Sequence, residues 1–453
     1  KKAGRQILER AAPMELADVR SAPVRALAEA LREAAIAIGA PGDFSPQVER
    51  PADPSHGDFA SNAALVLSGR LGRAPRDLAA QLAERLELES TGVADVSIAG
   101  PGFLNFTLSD EVLWKGLRLV LELGEDWGRS SANQPLRYNV EFVSANPTGP
   151  LHVAHGRGAA IGDATASLLE WTGHEVEREF YVNDAGRQIE LLGESIEARW
   201  LQARGADVEM PQGGYQGEYI RDIARDLAEE LGDTDVEVLE RSERLRLLSA
   251  RAANLLRAGQ EQDLADFGVH MDHWFDESSL FLTGDVEGLL ERLLESGRAY
   301  RDDGAVWLRT TDLGDEKDRV LVKSDGSHTY FVSDIAYHLD KAERGFQRAI
   351  DVWGADHHGH VPRMQAALGS LGLAEGFLEV LLIQLVTVMR GGEEVRMSKR
   401  AGQFVSLRDL FSETGPDVAR YFFLMRRAEV PMTFDLDLAL DTSDANPVYK
   451  VQY

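Results

Sequence analysis

Apolar positions recur at helical spacing over residues 22–37 and again over 75–86, where a proline stands in the first turn, so both stretches predict amphipathic helices. Between them, residues 51–58 are rich in Pro, Gly and Asp and read as a loop. Residues 94–108 read as two short strands around Gly100-Pro101-Gly102. The pattern is that of a small α+β module over residues 1–130, with 130–135 as a linker. From 136 onward the pattern changes. Residues 138–143 predict a strand, 144–150 a turn, 156–171 a helix of small residues, and 176–182 a second strand, which is one βαβ unit of a parallel sheet. Residues from about 187 to 300 are mostly helical and acidic and read as an insertion. Strand patterns return at 305–308 and 349–353, a helix is predicted over 361–373, and 378–389 reads as one continuous apolar strand buried on both faces.

A chain of 453 residues with 44% hydrophobic and 27% charged residues has enough apolar surface for several packed cores. With no cysteine, thiolate metal sites, disulfides and cysteine nucleophiles are excluded. No apolar run reaches the ~18 residues of a membrane span. The basic first residues are followed by Glu9, Arg10, Glu15 and Asp18, unlike a secretory signal, so the expected compartment is the cytoplasm. The formal charge of −27 speaks against a polyanionic partner. Only eight of the 48 basic residues are lysines, which draws attention to where they stand.

Two motifs carry chemistry. Pro150-Leu151-His152-Val153-Ala154-His155-Gly156-Arg157-Gly158 lies where the first predicted strand turns into its helix, and a helix N-terminus with histidine donors and small residues suits phosphate. A helix-capping or metal-binding histidine pair is the competing reading. The glycine spacing misses the dinucleotide fingerprint by one residue, which demotes a dehydrogenase. The second motif, Val395-Arg396-Met397-Ser398-Lys399-Arg400-Ala401-Gly402, follows the Gly391-Gly392 turn and could bring a lysine onto a departing pyrophosphate.

Together and in this order the motifs resemble the paired signatures of class I aminoacyl-tRNA synthetases. The stretch from Val140 to His155, Tyr181-Val182-Asn183-Asp184-Ala185-Gly186-Arg187-Gln188, Trp353-Gly354-Ala355-Asp356-His357-His358-Gly359-His360, Gly57-Asp58-Phe59-Ala60-Ser61-Asn62 and Asn446-Pro447-Val448-Tyr449 narrow the resemblance to the arginyl-tRNA synthetases. That resemblance implies an α/β fold: a Rossmann-like parallel-sheet catalytic domain over 131–440 with a helical insertion, a small N-terminal α+β domain that contacts tRNA, and over 441–453 the start of a helical anticodon-binding domain that the family continues. It implies ATP-dependent activation of L-arginine and transfer to tRNA(Arg), with magnesium accompanying ATP, no protein-bound metal, no membrane partner and a monomeric enzyme. An HxxH-type nucleotidyltransferase and a non-catalytic tRNA-binding paralogue are the alternatives.

By the same resemblance Glu141, Ser144, Asn146, Tyr330, Asp334 and His358 contact arginine. His152, His155, Gly158, Gly354, Asp356, Met397, Ser398 and Lys399 contact ATP, with His152, His155 and Lys399 catalytic. Phe103 and Asn105 read an unpaired tRNA base. A guanidinium never deprotonates and pairs bidentately with carboxylates, the chemistry that Glu141 and Asp334 offer. Ala154 stands where the family has Gly, and Arg396 where it has the first Lys of the second signature.

Overall fold

The computed structural model describes residues 13–88, 91–231, 238–395 and 405–452. They fold as two units, one reaching to residue 135 and including 171–173, the other holding the rest.

In the first unit β1 (Phe59–Ser61), β2 (Val93–Ala99) and β3 (Phe103–Leu108) form an antiparallel sheet in the order β1-β3-β2. The helices Ala63–Leu71 and Pro75–Arg85 pack on it, and Leu67, Leu78, Leu82, Leu104 and Phe106 are fully buried with Leu27 and Leu31 of the helix Pro13–Ala37. Each such side chain contributes about 1.5–3 kcal/mol by leaving water. The β2–β3 turn needs a glycine: Gly102 has φ +142, and a Cβ there would meet the Pro75 backbone carbonyl.

The second unit is built on β4 (Arg137–Glu141), β5 (Glu175–Val182), β6 (His273–Asp276), β10 (Arg348–Gly354) and β11 (Leu378–Ile383), all parallel, in the order β11-β10-β4-β5-β6. From β4 the chain runs outward through β5 and β6, then returns to place β10 on the other side of β4. Strand order therefore reverses between β4 and β10, and the crevice beyond their carboxyl ends is where open α/β sheets bind ligands. The helix Val153–Trp171 follows β4 and lies against the sheet through its small residues. A Cβ at Gly162 would be driven into the Phe142 ring, and one at Gly156 would lie 2.6 Å from Leu407.

The strands differ from the expectation in three places. Within the mostly helical stretch 187–300, the helices Arg187–Ala203, Glu218–Leu231 and Arg241–Asp266 are followed by β6, the edge strand of the main sheet, which four residues are too short to announce by alternation. Residues 305–308 do form β8 (Ala305–Leu308), but in a separate antiparallel sheet with β7 (Ala299–Asp302) and β9 (Arg319–Val322), order β7-β8-β9. The apolar run 378–389 breaks after β11. Its second half is β12 (Val386–Arg390), which pairs instead with β13 (Glu393–Glu394) and β14 (Met432–Asp435); at the break the Gln384 N–H donates to the Ala428 carbonyl rather than to a neighbouring strand of the main sheet. Among the described residues no helix is long and apolar enough to cross a membrane.

Candidate active site

A cavity of about 470 Å³ opens at the β4/β10 reversal, lined by Glu141, Ser144, Asn146, Tyr181, Asn183, Gln188, Tyr330, Asp334, Asp351, Gly354 and His360, among others. Five of the six residues expected to contact arginine meet here. Glu141 is the last residue of β4, and the chain leaves it through Val143 (φ 71) and Ser144 (φ 42), a left-handed pair that is costly for a β-branched residue and turns Ser144 back. The Ser144 hydroxyl consequently donates to Glu141 Oε1 at 2.9 Å. Tyr330 and Asp334 share one face of the first turn of the helix Tyr330–Glu343, as their four-residue spacing requires. His360 Nε2 lies 2.9 Å from Asp334 Oδ2. The sixth expected residue, His358, is exposed and absent from the lining; its turn puts His357 and His360 on the wall instead.

Behind the wall lies a buried ionic network that sequence reasoning missed. Lys341 Nζ, fully buried, donates to Glu141 Oε2 at 2.8 Å and to Asp351 Oδ1 at 2.9 Å. His338 Nε2 is 2.9 Å from Asp351 Oδ2, and its Nδ1 is 2.7 Å from the Asp334 carbonyl. A carbonyl and a carboxylate both accept, so both ring nitrogens donate and the ring is an imidazolium. Burial works against that charge, but Asp351 outweighs it and raises the His338 pKa. Two anions and two cations thus balance in the interior. Burial pushes the Glu141 carboxyl up, with Lys341 pulling the other way. On β5, Glu179 is fully buried, and although burial favours its neutral form, His273 and Arg344 hold it well below the usual carboxylate range. Glu277, buried between the negative charges of Asp334 and Asp184, is pushed up to about 7, burial being the largest cause.

The turn that carries the first signature is held from the insertion. Gln260 Nε2 donates to the carbonyls of Asn146 (3.1 Å) and Gly149 (2.9 Å), and the Tyr219 hydroxyl donates to that of Thr148 (2.9 Å). His152 and His155 stack at the start of the following helix, ring centroids 3.7 Å apart, and the His152 backbone N–H donates to His155 Nδ1. Gly158 is buried, with Ile383 3.5 Å from where its Cβ would be. Gly354 lines the cavity, whereas Asp356 is exposed beside it. Met397, Ser398 and Lys399 lie outside the described residues. The segment after them is anchored next to the histidines: Ser406 bridges His152, the Leu407 N–H donates to the Leu151 carbonyl at 2.8 Å, and Ser406 with Asp409 forms a capping box.

In the first unit a second cavity, about 620 Å³, is lined by Gln47, Arg50, His56, Asn62, Phe103 and Asn105 among others. Phe103 is 40% exposed and so is not a core aromatic, while Asn105 is buried. The signal that did find these walls was motif resemblance; the lysine behind Glu141 carried none beyond its rarity.

Comparison with known proteins places the chain in a family. Residues 25–108 match the family described as "Arginyl tRNA synthetase N terminal domain", and residues 126–421 match "tRNA synthetases class I (R), catalytic domain". The "Arginine--tRNA ligase" of Bacillus licheniformis is 48% identical over 406 residues, covering 90% of this chain and 73% of that protein. The protein of the same name from Geobacillus kaustophilus is 46% identical over 428 residues, covering 94% and 77%. A solved chain from Campylobacter jejuni is similar with a TM-score of 0.70 and 37% identity over 76% of this chain and 75% of that one. The Thermus thermophilus arginyl-tRNA synthetase shares the fold, with a TM-score of 0.61 at 23% identity over 94% and 79% of the two chains. The chain belongs to the arginyl-tRNA synthetase family of the class I aminoacyl-tRNA synthetases.

Proposed function

We propose that this protein is an arginine–tRNA ligase that activates L-arginine with ATP and transfers it to tRNA(Arg) in the cytoplasm. The observation that carries the reading is the meeting of Glu141, Ser144, Asn146, Tyr330 and Asp334 around one cavity at the β4/β10 reversal, on the chain that continues directly into His152 and His155. Asp334 and Glu141 supply anions for the guanidinium, and the Tyr330 phenol shares the Asp334 face of its helix. Asn146, whose amide donates to Gln188, stands where the substrate's polar end would be received. The arginine carboxylate attacks the α-phosphorus of ATP in line and pyrophosphate leaves, giving arginyl-adenylate; a terminal ribose hydroxyl of tRNA then attacks the activated carbonyl, the bond from that carbonyl to the phosphate oxygen breaks, AMP leaves and the hydroxyl proton passes to the departing phosphate or to solvent. His152, His155 and Lys399 stabilise the phosphate charge, Gly354 and Asp356 receive the ribose, and catalysis rests on positioning and charge rather than on a general base.

Magnesium enters with the ATP phosphates, where a few protein ligands suffice. Among the described residues Glu177, Glu179 and His273 bring three ligand-type groups together, but the Arg344 guanidinium already sits there, 2.6 Å from Glu179. Phe103 and Asn105 take an unpaired tRNA base by stacking and edge hydrogen bonds. The test is arginine-dependent exchange of labelled pyrophosphate into ATP, with and without tRNA. Exchange that needs arginine is the expected result; exchange indifferent to arginine, or none even with tRNA present, would overturn the reading.

A further inference from the structure

Glu141 can receive a cationic substrate only if it is ionised, yet it is buried 6% exposed at the bottom of the cavity, a few ångströms from the equally buried Asp351. Two such carboxylates do not both ionise without a cation between them. The structure puts one there: Lys341, with no exposed surface, divides its ammonium between Glu141 at 2.8 Å and Asp351 at 2.9 Å and lies 4.3 Å from the Tyr337 ring centre. Asp351 has a second cation in His338, whereas Glu141 has in this network only Lys341 as a direct ionic partner. An ionised carboxylate has about four lone-pair sites, and Ser144 and Lys341 use two of those on Glu141, so acceptor positions remain on a side chain that lines the cavity.

We propose that Lys341 is a positioning residue for arginine: without touching the substrate, it keeps Glu141 ionised and oriented as an acceptor in the cavity. The inference rests on the reading that arginine binds in this cavity. The groups facing Glu141 are Lys341, His338 and Tyr337 on the helix Tyr330–Glu343, Asp351 on β10, Tyr181 on β5 and Ser144 on the turn. Of these only Lys341 and His338 are cationic, and His338 is spent on Asp351. Removing Lys341 therefore leaves Glu141 to take up a proton at neutral pH, which turns an acceptor into a donor facing a guanidinium that can only donate.

The test measures arginine KM, ATP KM and melting temperature in pyrophosphate exchange for the wild type, Lys341→Met and the double variant Lys341→Met/Asp351→Asn. Lys341→Met should raise arginine KM at least about tenfold at pH 7 with ATP KM within about twofold, and the ratio to wild type should shrink as pH rises and Glu141 ionises. The double variant removes one buried charge of each sign, and its arginine KM should return to within about fivefold of wild type. If the single variant fails to fold, the pH profile of the double variant decides: arginine KM that falls toward the wild-type value as pH rises supports the role, and a ratio to wild type that does not change with pH overturns it. An unchanged arginine KM in Lys341→Met, equal losses for arginine and ATP, a pH-independent ratio, or a double variant no better than the single would each overturn the role. Loss of arginine dependence in the wild type would instead refute the proposed function.

Discussion

His360 Nε2 stands 2.9 Å from Asp334 Oδ2, so the more exposed carboxylate of the cavity already has a hydrogen-bond partner before any substrate arrives. The imidazole holds one oxygen, Oδ2, of a carboxylate that lines the cavity, which restricts the group's rotation. Asp334→Asn keeps the shape and removes the charge. Arginine KM should rise roughly 100-fold, in keeping with the ~2–5 kcal/mol lost when one partner of a desolvated charge pair is removed, while ATP KM stays within about twofold. Steady-state pyrophosphate exchange measures both.

Two glycines of the signature helix should behave oppositely. Gly162→Ala forces a methyl group into the Phe142 ring and should cost about 1–3 kcal/mol or more, whereas Gly158→Ala meets only Ile383 at 3.5 Å and should stay within about 1 kcal/mol. Urea denaturation distinguishes them.

Glu277 gives the fold a pH dependence. Its pKa rises from the ordinary 4.5 to about 7 in the folded protein, so between these values the folded state holds a proton that the unfolded state has released. The associated stability is complete below about pH 4.5 and is lost as pH rises through about 7. Glu277→Gln, which keeps the neutral shape, should flatten that part of the melting-temperature profile and be more stable than wild type at pH 8. An unchanged slope would rule out Glu277 as its source.

Lys399→Ala should slow adenylate formation by about 100- to 1,000-fold, the range expected when a group acting on transition-state charge is lost. Arginine affinity, read by calorimetry, should hardly change; parallel losses would refute a role on the leaving pyrophosphate.

Phe103→Ala should weaken tRNA binding by about 1–3 kcal/mol, the scale of one base stacked on an aromatic ring, and leave arginine and ATP KM as they are. Filter binding with tRNA is the direct measurement.

Much of the catalytic unit was legible because its chemistry is local. The turn from Glu141 to His155 is a continuous motif, and Tyr330 and Asp334 declare a common helix face by their spacing. What escaped was decided by distant packing. Lys341 sits in a charged stretch, Asp340-Lys341-Ala342-Glu343-Arg344, that reads as a solvated helix face, and only the sheet behind it makes it an interior cation. β6 is four residues long and belongs to the main sheet only because β5 offers it an edge. Motif position points to His358, but after the short helical turn Ala355–His357 it is His360 that lines the cavity, and His358 is left outside. The charge balance also reads differently at the level of residues. Glu179 is held by Arg344, while Arg420 is tied to Asp163, so each is spent on internal pairing rather than on a surface field. Arg426 and Arg427 are exposed.

The reversal of strand order has a cost in time. Glu141 and Lys341 are separated by 200 residues, and β4 gains its second neighbour only when β10 has been made. At about 5–20 residues per second of synthesis, a nascent chain on the ribosome waits roughly 10–40 s between the two. During that interval β4 presents an open edge of unpaired backbone N–H and C=O groups and Glu141 lacks Lys341, while the first unit, whose contacts are all nearer in sequence, is free to fold. Interrupted synthesis would therefore release a folded first unit joined to an aggregation-prone half sheet, and the catalytic pocket comes into being only after the helix Tyr330–Glu343 and β10 have both emerged.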